Sequence, residues 1–251
     1  MKFGFRVSLL ITGIAGLGAG ASAQFGPPGP PPTARAAAPE DLTGYWVSLV
    51  TEDWRWRMVT PAKGDYDGVP VNGAGRKVAD TWDPAKDEAA GEQCKAYGAP
   101  AITRVPGRFH FTWVDDNTLK LEMDAGTQTR LFHFGGKPPQ TGDAGWQGYS
   151  VASWERQSGG GFGPPGKGGS LKVVTTHIRP GYLRKNGIPY SANAVVTEYF
   201  DAITEPDGER YLIVKTLVDD PQYLSGQFIT STHFKREPDG AKWRPTACAA
   251  R

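Results

Sequence analysis

Four histidines, His110, His133, His177 and His233, are the side chains best suited to acid–base work near neutral pH. Each falls in a different extended run, so they meet only if a fold brings distant strands together. No H-x-H or H-x-x-x-H spacing places two on one element, so neither a metal site nor any cofactor is expected. Glu198 and Tyr190 complete the acid–base candidates. Glu198 shares a strand face with Val196 and Phe200, and an acid among apolar neighbours requires a partner, for which Arg130 and Arg179 are the candidates. Arg130 lies in Thr127–His133, the most polar run, on the same face as Gln128 and opposite Thr129 and His133. Inside a closed sheet an arginine clamps a carboxylate or phosphate bidentately; outside it, the same residue is merely solvated, and both readings stand. Trp54 to Val59, WRWRMV, alternates aromatic and basic residues, which predicts a strand with a buried aromatic face and a basic face either exposed or lining something polar. There is no G-x-S-x-G elbow, no P-loop and no dinucleotide-binding glycine fingerprint.

The stretch PGYLRKNGIPYSANAVVTEYF, Pro180 to Phe200, concentrates several of these residues. Asn186-Gly187 supplies the positive φ that a tight turn demands, and Pro180 and Pro189 stiffen its flanks. The stretch therefore reads as a long hairpin arm with Arg184 and Lys185 solvated at its tip. Tyr182 and Tyr190 either pack on a half-wet rim or line a mouth.

The elements that must position these groups follow from pattern. MKFGFRVSLLITGIAGLGAGASA has a basic start, a short apolar glycine-rich run and an A-x-A site, so residues 1–23 read as a secretory signal peptide cleaved after Ala23. No later run is apolar enough to span a membrane. Residues 24–40, rich in Pro, Gly and Ala, read as a flexible tether, and its F-G-P-P-G recurs at Phe162 to Gly166. Residues 41–251 are long enough for one domain with a substantial core. The chain has 28 Lys and Arg against 26 Asp and Glu, and without Lys2 and Arg6 the two balance, which argues against a nucleic-acid partner. Two cysteines, Cys94 and Cys248, both in the exported part, predict one disulfide. Residues 71–94 are the one helical region, with Asp83 as N-cap, Pro84 at the first helical position, and Val78 and Trp82 on one face. The remainder is strand pattern punctuated by turns such as Asp115-Asp116-Asn117 and Asp207-Gly208, which predicts an all-β, antiparallel up-and-down barrel, with a β-sandwich as the alternative.

Gly44-Tyr45-Trp46 at the first strand resembles the G-x-W of lipocalins, in which the Trp closes one end of the barrel. A longer series, Cys94-Lys95-Ala96-Tyr97-Gly98-Ala99-Pro100, Gly187-Ile188-Pro189-Tyr190-Ser191, Glu198-Tyr199-Phe200 and Asp219-Asp220-Pro221, followed by Cys248, resembles an uncharacterised family of secreted bacterial β-rich proteins. Tyr190 stands where that family commonly has histidine. The resemblance implies an exported β-rich fold and assigns no activity.

The expectation drawn from these observations is a periplasmic or secreted lipocalin-like protein. It would bind a small, partly apolar ligand in a barrel cavity lined by Trp54, Trp56, Arg130, Tyr182, Tyr190 and Glu198. One alternative is a barrel enzyme acting on a small or carbohydrate-like substrate through His110, His133, His177, Glu198 or Tyr190. Another is an envelope-interaction protein working through the tether.

Overall fold

The computed structural model describes Met1 and residues 30–138, 144–156 and 169–251. The rest of the expected signal peptide, the first part of the expected tether and the second F-G-P-P-G lie outside the described residues. Nine strands close into a barrel, in the order β1 (Gly44–Leu49), β11 (Phe228–Glu237), β10 (Arg210–Asp219), β9 (Val195–Thr204), β6 (Gly169–Thr176), β5 (Tyr149–Arg156), β4 (Gln128–Phe134), β3 (Thr118–Met123) and β2 (Arg108–Asp115). The remaining two, β7 (Gly181–Tyr182) and β8 (Pro189–Tyr190), pair only with each other. Three short helices complete the set: α1 (Trp54–Met58), α2 (Gly73–Ala79) and α3 (Pro84–Ala89).

The barrel expected from the strand pattern is present, but it is mixed rather than wholly antiparallel. An odd number of strands cannot alternate direction all the way round a closed ring, so one neighbouring pair must be parallel. That pair is β4–β5, and it is registered over only three residues, Phe132↔Ser150, His133↔Val151 and Phe134↔Ala152. All other neighbours in the ring are antiparallel.

Alternation along the strands fills the interior in layers. Trp46, Phe109, Phe111, Phe132, Phe200 and Phe234 are essentially inaccessible, together with Leu119, Leu121, Leu171 and Val214, and form one apolar cluster. Ring contacts run across it: Phe109–Phe234 at 4.2 Å and Phe132–Phe200 at 5.5 Å between centroids. Side chains thus occupy the axis where a ligand was expected. Two residues further along each strand the layer turns polar: Arg130, Thr175, Glu198, Thr216 and Thr232 are all buried. Beyond it, Val196, Val218 and Phe228 belong to a second apolar cluster with Ile178, Leu183, Ile188 and Tyr190.

In the polar layer Arg130 Nη1 donates to Glu198 Oε1 at 3.0 Å and Nη2 donates to Glu198 Oε2 at 2.5 Å, with both side chains fully buried. Arg130 Nη2 also donates to Thr175 Oγ1 at 3.0 Å, and the Ser150 and Thr175 hydroxyls lie 2.8 Å apart. Of the two partners considered for Glu198, Arg130 is the one found. Arg179 instead pairs with Glu92 at the surface.

The second cluster exists because the chain builds a cap at the end of the barrel where β1 and β10 finish. Residues 50–107, 177–194 and 220–227 all leave from this end. Cys94 and Cys248 are joined in a disulfide that closes a loop with a sequence separation of 154, worth on the order of 5 kcal/mol in the loop-entropy model. Asp220 accepts from Ser191 N at 2.6 Å and from Ser191 Oγ at 2.8 Å, tying the G-x-P-Y-S segment to the D-D-P segment.

Three local expectations are corrected. WRWRMV is not a strand: β1 ends at Leu49, the chain leaves the sheet, and Asp53 at φ 51° turns it into the single helical turn α1. Five residues satisfy both periods, and here the helical one places Trp54 beside Met58 and turns Arg57 inward. The helical region 71–94 is broken into α2, capped by Asn72, and α3, capped by Asp83 with Pro84 at its first position. Trp82 lies beyond the end of α2, and Val78 is half-exposed. The arm is not solvated: Arg184 and Asn186 are buried, and Asn186 Nδ2 donates to Ala62 O at 3.1 Å and to Asp65 O at 2.8 Å. Gly187 sits at φ 86° against Trp82, whose ring a Cβ there would overlap. At the opposite end, Ala34 to Ala37 of the expected tether form a turn against the barrel, where Ala34 O accepts from Trp154 Nε1 at 2.7 Å.

Removing one partner of the buried pair leaves the other as an uncompensated charge. Glu198→Ala is therefore expected to cost about 3–5 kcal/mol in urea denaturation, and the double change Arg130→Met with Glu198→Leu to recover most of that loss. A Glu198→Ala loss below about 1 kcal/mol would show that the pair is not a structural constraint.

Candidate functional site

The cap brings four cations together. Arg57 comes from α1, Arg104 from the 3₁₀ turn Ile102–Arg104, and Arg184 and Lys185 from the arm. Asp53, held in the left-handed region that non-glycine residues rarely occupy, starts α1 so that Arg57 points inward. Arg57 Nε then donates to Arg104 O at 3.0 Å, while Arg104 Nη1 donates to Asp53 Oδ2 at 2.6 Å. Helix and turn are latched reciprocally. Arg57 Nη1 also pairs with Glu52. From the arm, Arg184 Nη1 donates to Asp67 O at 2.6 Å and its guanidinium lies 4.8 Å from the centroid of the Trp56 ring. Lys185 Nζ donates to Tyr97 Oη at 2.7 Å.

Between these elements lies a cleft of about 140 Å³ whose walls include Trp56, Arg57, Met58, Arg104, Leu183, Arg184 and Lys185. Its polar groups are incompletely paired. Arg57 Nη2, Arg104 Nη2, Arg184 Nε and Trp56 Nε1 are buried and have no hydrogen-bond partner among the described residues. Buried donors are normally satisfied, and a charged donor left alone costs more than a neutral one. The electrostatics agree. Burial, reinforced by the nearby Arg104 guanidinium, pulls Arg184 down to about 10. Burial also lowers Arg57, with Glu52 opposing and Arg104 adding to the effect. Guanidinium groups remain protonated at neutral pH, so both shifts mean that the cleft holds positive charge against its own preference. Among the described residues, only Glu52 and Asp53 are bonded to these cations as counter-charges.

A second depression, of about 400 Å³, opens at the other end of the barrel between Arg35, Asp41, Trp113 and Trp154. Its polar groups are better satisfied: Asp41 accepts from both the backbone and the hydroxyl of Thr43, and Trp154 Nε1 is bonded to Ala34 O. Residues 157–168, which connect β5 to β6 at this end, lie outside the described residues.

Of the six ligand-binding residues expected, only Trp56 lines the cleft. Trp54, on the same helix, is largely exposed. Arg130 and Glu198 satisfy each other in the barrel's polar layer. Tyr182 Oη donates to Asp87 Oδ2 at 2.9 Å with Lys95 over its ring, and Tyr190 is fully buried, with its hydroxyl unpartnered among the described residues. The histidines do not converge. His110 stacks on Tyr45 at 4.0 Å and lies 3.3 Å from Glu122; His133 stacks on Tyr149 at 4.7 Å; His177 is exposed beyond β6; His233 lies 3.4 Å from Glu52. Among the described residues there is no group of three or more His, Cys, Asp or Glu placed to hold a metal ion.

The cleft residues that sequence reasoning missed are Arg57, Arg104, Arg184 and Lys185. The two arm cations were read as solvated, and Arg57 was placed on a strand face either exposed or lining something polar rather than in a helical turn. Arg104, in the APAITRVPG stretch, carries no local signal. No protein-family model, no curated protein and no solved structure matches the chain.

The cap also buries phenols. Tyr182 is pushed well above the ordinary tyrosine range by burial and then by its bond to Asp87, Tyr190 by burial, and Tyr66 to about 12 by burial and then by Asp80. A phenol whose folded pKa is raised contributes stability that is fully present below its unfolded value near 10 and is lost as pH climbs towards the raised one. Of the nine tyrosines, Tyr66, Tyr182 and Tyr190 are therefore expected to stay protonated in the native protein at about pH 11, to ionise on unfolding, and to make stability fall above about pH 10. Ultraviolet titration of the native and unfolded chains measures this. Ionisation of all nine near pH 10 in the native state would contradict it.

Proposed function

We propose that the protein is an exported binding protein that holds the acidic group of a small ligand in the arginine–tryptophan cleft of its cap. The observation that carries this reading is the set of unpartnered buried donors on Arg57, Arg104, Arg184 and Trp56 in the walls of one cleft. A carboxylate or phosphate is the chemistry that satisfies several guanidinium N–H groups at once. The donors are buried in residues of the cleft wall, so an occupant reaches them through side-chain rotation or a bridging water. About 140 Å³ is close to the size of a cavity that takes benzene, so the volume suits an acid headgroup or a small aromatic acid. The Trp56 ring supplies the apolar contact for the latter.

This reading keeps the small-ligand expectation and moves it from the barrel axis, which side chains fill, to the cap. Export is supported by the basic, apolar and A-x-A pattern of residues 1–23 and by the Cys94–Cys248 disulfide. Among the described residues no helix is long and apolar enough to cross a membrane. The acid–base enzyme reading gains nothing from the geometry: the histidines lie apart, and the carboxylates at the cleft, Glu52 and Asp53, are each engaged by an arginine.

Calorimetric titration with inorganic phosphate and with benzoate tests the proposal. At least one of the two is expected to bind, and Arg184→Gln to weaken that binding about tenfold or more, the worth of a hydrogen bond to a charged group. The exposed Arg244→Gln is expected to leave it unchanged. Absence of binding by either anion, or equal binding by wild type and Arg184→Gln, would remove the cleft reading.

A further inference from the structure

The cleft has an unusual neighbour. Trp54, Met58 and Val59 are 63%, 61% and 62% exposed, three large apolar side chains within six residues. Trp54 and Met58 are four apart in α1 and so share a face, while Met58 and Val59 themselves form part of the cleft wall beside Arg104, Arg184 and Lys185. Arg55, between them, is also exposed. Scattered exposed apolar residues need no explanation, but a tryptophan-led cluster set on the lip of a cationic cleft does.

We infer that this face of the cap docks on an anionic phospholipid bilayer, with a headgroup phosphate entering the cleft and Trp54, Met58 and Val59 inserting at its lip. The inference rests on the anion-binding reading of the cleft and names the source of the anion. Charge complementarity and shape both favour a bilayer over a free amphiphile. A single acyl chain in water is held in a concavity that buries most of it. Side chains more than half exposed stand proud of the surface, where they cover no chain but fit between headgroups. Tryptophan is the side chain that favours this interface, with an apolar body and a polar N–H. Arg55, Arg57, Arg104, Arg184 and Lys185 stand against four acids, Glu52, Asp53, Asp65 and Asp67, so the face keeps one net positive charge after the pairs Arg57–Glu52, Arg104–Asp53 and Arg55–Asp65 are formed. Insertion of three side chains plus one headgroup contact makes a reversible peripheral attachment, not an anchor.

Sedimentation with vesicles of phosphatidylcholine containing phosphatidylglycerol, against phosphatidylcholine alone, tests this on the chain expressed with its own leader and recovered after export. Binding is expected only to the anionic vesicles and to fall as salt rises. Trp54→Ser, at a residue outside the cleft wall, is expected to lower vesicle partitioning about tenfold while leaving calorimetric binding of inorganic phosphate unchanged. Arg184→Gln is expected to lower both. Wild type that binds phosphate but not anionic vesicles, or a Trp54→Ser variant that binds vesicles as wild type does, overturns the membrane inference and leaves the cleft reading standing. Failure to bind phosphate, benzoate and vesicles alike overturns both.

Discussion

The Arg130–Glu198 pair is the constraint on which the barrel's closure depends. Its members sit on β4 and β9, with Ser150 of β5 and Thr175 of β6 completing the network, so one cluster of side chains joins four consecutive strands of the ring. Those four include the one parallel junction, β4–β5, whose ladder covers only three residue pairs. A short parallel ladder is the weakest place to hold register, and a one-residue slip there would move every side chain of a strand to the wrong face. Such a slip would carry Arg130 out of the barrel and strand Glu198 inside it. The pair therefore penalises the wrong register more than it rewards the right one, which is the best-attested use of a buried ion pair.

The same polar layer divides the interior into a barrel core and a cap core. Connections such as 116–117 and 205–209 at one end are brief turns, whereas 50–107, 177–194 and 220–227 all leave from the other. Those segments must bury their own apolar residues, and they do so on Val196, Val218 and Phe228 at the barrel mouth. Polar groups in so irregular a cap are satisfied by side chains rather than by ladders: Asn186 holds the 62–65 loop, Asp220 holds Ser191, and Arg57 holds the 102–104 turn. Three arginines converge because each was recruited to tie down a different loop. The three residues that carry these leftover N–H groups line one cleft.

Much of the fold was legible because strand alternation is a local signal. Phe109-Phe111, Leu119-Leu121-Met123 and Val196-Glu198-Phe200 each placed their own residues correctly, and Glu198 announced its need for a cation from its neighbours alone. The cysteine count and the Asn186-Gly187 turn were equally local. What could not be read were relations between segments. The parallel junction follows from the parity of a closed ring, which no single strand reveals. WRWRMV was misread because five residues fit both periods, and the chain's departure from the sheet at Leu49 decided between them. The cleft was missed for the same reason: Arg57, Arg104 and Arg184 are far apart in sequence, and an arginine signals nothing about burial until the loops that receive its hydrogen bonds are folded.

The anion-binding role proposed for the cleft rests on the discomfort of its buried donors. If the three guanidiniums served only to tie loops, apolar or neutral tethers would serve with less like-charge repulsion, since well-packed substitutes for buried charges are often at least as stable. Glu52 and Asp53 offset two of the cations, while Arg184 and Lys185 have no bonded carboxylate among the described residues. An anion arriving in the cleft therefore need not displace either acid. It meets net positive charge, donors already desolvated by folding, and a rigid floor in which Arg57 and Arg104 fix each other's position. Desolvation and ordering, the usual costs of binding an ion from water, have largely been met by the fold itself.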